Sequence, residues 1–120
     1  MALGMIEVYG FTTAIVVADA AAKAGDVRIA ALDRNKPANA DLCEVPLVMV
    51  VKIEGPVADV ESAMEAGIAQ AKQRNLFITS DLIARQESDT EKMVRIEASG
   101  RDHLRKPMDP QTAERTMSEV

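Results

Sequence analysis

Ala2-Leu3-Gly4-Met5-Ile6-Glu7-Val8-Tyr9-Gly10 opens the chain. Phe11-Thr12-Thr13-Ala14-Ile15-Val16-Val17-Ala18-Asp19-Ala20-Ala21-Ala22-Lys23-Ala24-Gly25 carries it on. The first piece predicts a strand over residues 3–8, weakened at its start by Gly4 and stopped by Gly10. The second predicts an alanine-rich helix over residues 11–24. Asp19 and Lys23 stand four apart, acid first, the order that supports a helix. Gly25 suits the position just beyond a helix end.

Working outward, residues 27–32 predict a second strand. Asp33 to Glu44 is a polar connection punctuated by Pro37, Asn35, Asn39 and Asp41. Residues 45–53 are strongly β-branched and predict a central, buried third strand, with Pro46 tolerable near its start. Gly55-Pro56 then marks a boundary, with proline at the first helical position. Val57, Val60, Met64, Ile68 and Ala71 follow at spacings of three or four, one apolar stripe of a second helix ended by Asn75. Gly67 lowers helix propensity, and close packing against the sheet would account for it. Residues 76–84 predict a fourth strand, with Asp81 as a polar intruder better suited to a salt bridge. Ser88-Asp89-Thr90-Glu91 has a capping-box pattern and predicts a short helix over 90–97. The order β-α-β-β-α-β is the α+β, ferredoxin-like plan, two helices on one face of a four-stranded sheet. We take 2–97 as the domain and 98–120 as a polar tail, with one further short helix over 111–117.

Composition narrows the function classes. The chain has 120 residues, 48% apolar but only 2% aromatic, so the core must be built from small and aliphatic side chains. Each such side chain buries little area, which makes association with other copies a natural source of stability. The net charge of -5 argues against nucleic acid, which rewards clustered Lys and Arg. No apolar run is long enough to span a bilayer, and no basic segment followed by an apolar stretch marks a signal peptide. A single cysteine excludes an intrachain disulfide framework. These features together predict a cytoplasmic protein.

Four motifs in order resemble the BMC-domain proteins of bacterial microcompartment shells. They are Ala2-Leu3-Gly4-Met5-Ile6-Glu7, Asp19-Ala20-Ala21-Ala22-Lys23-Ala24 followed by Val27-Arg28-Ile29, Gly55-Pro56-Val57-Ala58-Asp59-Val60, and Ala63-Met64-Glu65-Ala66-Gly67. Each alone is weak; the four at compatible spacings, over roughly residues 2–90, are specific. The resemblance implies a cyclic homohexamer in a cytoplasmic microcompartment shell, tiling edge to edge with other shell proteins around enclosed enzymes. It places Lys23, and Arg85 with it, at the edge between hexamers. It lines a central pore with the connection between the second and third strands: Lys36, Pro37, Ala38, Asn39, Ala40, Asp41, Leu42, Cys43 and Glu44. That connection departs from the family's short glycine-rich turn, being longer, free of glycine and carrying the only cysteine. It looks more like the divergent shell proteins of glycyl-radical-type microcompartments, some of which hold an iron–sulfur cluster at the pore.

One cysteine per chain is ordinarily too few for a cluster. Cyclic symmetry changes the count, because a loop on the axis presents Cys43 from every subunit. A 4Fe–4S cluster shared between subunits would then use a subset of six thiols. The alternatives are a mononuclear metal, a disulfide between neighbours, a free pore thiol, or a small apolar side chain packed beside Leu42 and Val45. His103 lies in the polar tail and reads as solvated. Glu7 and Asp19 read as polar ends of elements, and Asp59, Glu61 and Glu65 as a solvated helix face. A serine–histidine–aspartate set would have to be built around His103, so hydrolase chemistry of that kind is not expected. A structural shell subunit, not an enzyme, is the leading expectation. A small-molecule-binding regulatory module on the same plan is the runner-up.

Overall fold

A computed structural model describes residues 1–35 and 47–95. The elements are β1 (Ala2–Tyr9), α1 (Phe11–Ala24), β2 (Arg28–Asn35), β3 (Val48–Gly55), α2 (Val57–Gln73), β4 (Phe77–Ile83) and α3 (Ser88–Val94). The sheet order is β2-β3-β1-β4 with every neighbouring pair antiparallel. This is the expected ferredoxin-like α+β plan, with β3 in the interior of the sheet as its β-branched run predicted. The expected boundary at residue 97 and the helix over 111–117 lie outside the described residues.

The core lies between one sheet face and the two long helices. Ile6 and Val8 of β1 meet Met49, Val51 and Ile53 of β3, and both rows pack under Val17 and Ala21 of α1 and Val60, Ala63 and Met64 of α2. Ile6, Val17, Ile53 and Val60 are fully buried. Each contributes about 1.5–3 kcal/mol relative to exposure. Small side chains let the helices come close. A β-carbon on Gly67 would stand 2.9 Å from Ile6 Cδ1 and 3.1 Å from Val17 Cγ1. The expected packing reason for Gly67 therefore holds, and it includes α1 as well as the sheet.

Several boundaries differ from expectation for identifiable reasons. β2 runs on through Asp33 and Arg34, assigned by sequence to a loop, because both continue the ladder on β3, opposite Val50 and Met49. A bulge between Ile29 and Ala31 resets its alternation, so that Ile29 and Leu32, three apart, both pack on the helix-side core. Val57, expected in the apolar stripe, is 41% exposed because it sits in the first turn of α2, beyond the sheet's cover. Pro56 stands one place before that helix rather than inside it, with φ -59° and ψ 145°. Helix α3 starts at Ser88, and its cap is the Glu87 side chain, which accepts from Asp89 N–H at 3.0 Å, not the expected Ser88–Glu91 box. Gly25 has extended backbone (φ -157°), so it is not the left-handed residue expected there. Its requirement is space: a β-carbon would lie 2.5 Å from the Asp59 carbonyl oxygen.

Gly10 and Asn75 are the described positions that need a left-handed φ. Gly10, at φ 89°, turns the chain from β1 into α1 and donates its N–H to the Leu47 carbonyl at 2.8 Å. Asn75, at φ 59°, ends α2 as expected: its own N–H bonds Lys72 O at 3.0 Å and Leu76 N–H bonds Ala71 O at 3.0 Å.

Candidate functional site

Antiparallel order gives the domain two distinct ends. At one end Asn35 of β2 pairs with Val48 of β3, and Val48 in turn with Tyr9 of β1. The residues between Asn35 and Leu47 leave and re-enter the fold here, rooted by the Gly10–Leu47 hydrogen bond. Lys36, Pro37, Ala38, Asn39, Ala40, Asp41, Leu42, Cys43 and Glu44 themselves lie outside the described residues.

At the other end Ala2 pairs with Gly55. Helix α1 starts beside Tyr9 and runs back along the sheet, so Lys23 in its last turn arrives at this second end. Lys23 is three-quarters exposed and reaches Asp19 Oδ2 at 2.7 Å. Arg85 follows β4 just after Ile83, which pairs with Leu3, and the next residue, Gln86, donates its N–H to Met1 O at 3.1 Å. Arg85 is exposed at the same end as Lys23. Eight residues of β1 separate the loop root from this end, a span of about 25 Å.

The helix-free face of the sheet carries a second constellation, which sequence reading missed. Glu54 is fully buried. Its Oε1 accepts from Arg28 Nη2 at 2.9 Å and Arg95 Nη2 at 3.3 Å, and its Oε2 from Gln86 Nε2 at 2.8 Å. Beside it, Lys52 Nζ donates to Val94 O at 3.0 Å and lies 3.5 Å from Asp33 Oδ2. Burial pushes the Glu54 carboxyl up. The hydrogen bonds from Gln86 and Arg28, with the charges of Arg95 and Arg28, outweigh that and hold it below the ordinary carboxylate range. Gln86 Oε1 and Arg95 Nε, also buried, find no partner among the described residues. The signal in the sequence was Lys52 and Glu54 alternating on one face of an otherwise apolar strand. Their partners are 19 to 42 residues away in sequence, beyond any local pattern.

Asp19 is engaged with Lys23, and Asp59 Oδ1 accepts from Asp26 N–H at 3.1 Å. Asp81, expected in a salt bridge, instead turns back to accept from Leu82 N–H at 2.8 Å and has no ion pair among the described residues. It lies on the exposed outer side of β4, where Glu7 and Met5 of β1 are its neighbours. No group of three His, Cys, Asp or Glu side chains suited to a metal occurs among the described residues. His103 and Cys43 lie outside them. No helix among them is long and apolar enough to cross a membrane.

The chain is 34% identical over 83 residues to the bacterial microcompartment shell protein PduK of Citrobacter freundii, a match covering 69% of this chain and 48% of that protein. It is 36% identical over 73 residues to the carboxysome shell protein CcmK3 of a Halothece species, covering 61% and 63%. Among solved structures it resembles a microcompartment protein from Desulfitobacterium hafniense, with a TM-score of 0.63 and 28% identity over 76% of this chain and 47% of that one. The chain thus spans about half the length of most of the curated relatives it matches. The model of the BMC domain matches residues 2–86, from the first residue of β1 to the Gln86 that bonds Glu54, and this chain belongs to the BMC domain family.

Proposed function

We propose that the chain is a structural subunit of a bacterial microcompartment shell, assembling into cyclic hexamers that tile with one another and with other shell proteins. The observation that carries this reading is the two-ended domain. The loop between β2 and β3 is rooted at one end, and Lys23 and Arg85 stand about 25 Å away at the other. A ring that gathers the loops on its axis turns Lys23 and Arg85 outward as the tiling edge. The relatives named as shell proteins support it. So does the exposed apolar pair Phe11 and Ile15, four apart on α1, which a lone domain leaves in water.

Lys23→Glu tests the edge. Wild type is expected to form extended sheets under the electron microscope. The variant should keep the same discrete oligomer mass and form no sheets. Sheets persisting in the variant would remove Lys23 from the edge. A wild-type protein that never associates beyond a small soluble oligomer would favour the regulatory-module reading instead.

For the pore we propose that Cys43 from several subunits holds an iron–sulfur cluster on the axis, with the longer connection closing the opening around it. Support comes from the single cysteine lying in the one connection that would face the axis. Anaerobic purification should then give a brown hexamer with measurable iron, and Cys43→Ser should lose both colour and iron while remaining a hexamer. A colourless, iron-free wild-type hexamer would reject the cluster and leave the shell reading intact.

A further inference from the structure

The four-stranded body is complete before the last described segment. Residues 2–83 contain all four strands and both long helices, and the family match runs three residues further. Residues 86–95, with α3, come afterwards and lie against the face of the sheet that the long helices leave open. Their attachment is unusual in kind. Val94 is the buried apolar side chain of α3, while Met93 beside it is 67% exposed. The remaining anchors are polar: Gln86 N–H donates to Met1 O, Gln86 Nε2 and Arg95 Nη2 donate to the Glu54 carboxylate, and Lys52 Nζ donates to Val94 O.

We propose that residues 86–95 form a detachable strap, which closes over the helix-free face of β2 and β3 by gripping Glu54 and opens as a unit while the four-stranded body stays folded. Glu54 remains paired in the open state, because Arg28 holds it from β2, which belongs to the body. The grip is also incompletely satisfied, since Gln86 Oε1 and Arg95 Nε are buried with no partner among the described residues. A half-satisfied buried network adds less to the closed state than a full one. The groups facing Glu54 are Arg28 from β2 and Gln86 and Arg95 from the strap. Lys52, two residues along β3, faces Asp33 and Val94. With two guanidinium groups on one carboxylate, Glu54 stays charged at neutral pH and the strap rests closed.

Hydrogen exchange read by mass spectrometry on the full chain tests this at neutral pH. Arg95→Gln removes the strap's charged hold and leaves Glu54 paired with Arg28 and Gln86. Exchange over residues 88–94 should rise about tenfold, the equivalent of one charged hydrogen bond, with β1 and β3 as protected as in wild type. Glu54→Gln should act in the same direction. Should it unfold the whole domain, Arg95→Gln decides the matter. The strap is overturned if residues 88–94 exchange no faster in Arg95→Gln, or accelerate only in step with β1 and β3. Neither result bears on the shell reading, which rests on the opposite ends of the sheet.

Discussion

Glu54 is the residue at which physical chemistry most clearly overrides sequence appearance. A glutamate immediately before Gly55-Pro56 looks like a solvated strand end, yet it is fully buried and held by Arg28, Arg95 and Gln86. Its carboxyl sits below the ordinary range, so the folded state binds a proton less readily than the unfolded chain. Its stabilisation is therefore complete above the usual carboxylate value and is lost as pH falls through the lowered one. Denaturant midpoints measured from pH 7 downward should hold steady until acid conditions and then fall. Glu54→Gln should start about 2–3 kcal/mol lower at pH 7, because the half-exposed Arg28 and the partly buried Arg95 lose the counter-charge that the buried carboxylate gave them. It should also show a flatter acid limb. Equal acid limbs in the two proteins would mean that other carboxylates set the acid sensitivity.

At the scale of elements, the two long helices and the central strands were legible because periodicity reports burial directly. Val60, Met64 and Ala71 keep a spacing that faces the sheet, and the β-branched run in β3 is flanked by neighbours on both sides. Less legible were the ends, where a polar residue is as compatible with a strand edge as with a loop; Asp33 and Arg34 are the example. The bulge in β2 and the arginine partners of Glu54 depend on contacts between distant segments, which no window of sequence contains. The same holds for Gly25. It looked like a conformational glycine, but extended backbone would suit alanine, and what forbids a side chain is the Asp59 carbonyl where α2 begins. Gly25→Ala should therefore cost about 1–3 kcal/mol, the range for forced overpacking, read as a lower denaturant midpoint at unchanged slope. An alanine variant as stable as wild type would show that the α1–α2 contact yields easily.

On the scale of the whole molecule, the distance between the loop root and the Lys23 end makes the two proposed tasks separable. Sites that far apart with no shared partners act independently. Lys23→Glu should abolish sheets and leave iron content unchanged, and Cys43→Ser should do the reverse. The double variant should combine the two losses without further effect on hexamer mass, as sedimentation would show. If either substitution changed the other's readout, loop and edge would be coupled through the ring. Of this site, sequence and resemblance supplied Lys23, Arg85 and the loop. The placing of loop root and cations at opposite ends follows from the antiparallel order, which only the folded chain displays.

The hydrogen bond from Gln86 N–H to Met1 O has a topological meaning. It brings the start of the first strand and the end of the family-matched body within a single bond of each other. A path whose two ends touch is nearly a closed circuit. Such a circuit can be broken at a different turn, or spliced in series with a copy of itself through a very short joint, without altering a strand neighbour. The order in which this chain visits its elements is therefore only one of several itineraries that would draw the same four-stranded fold.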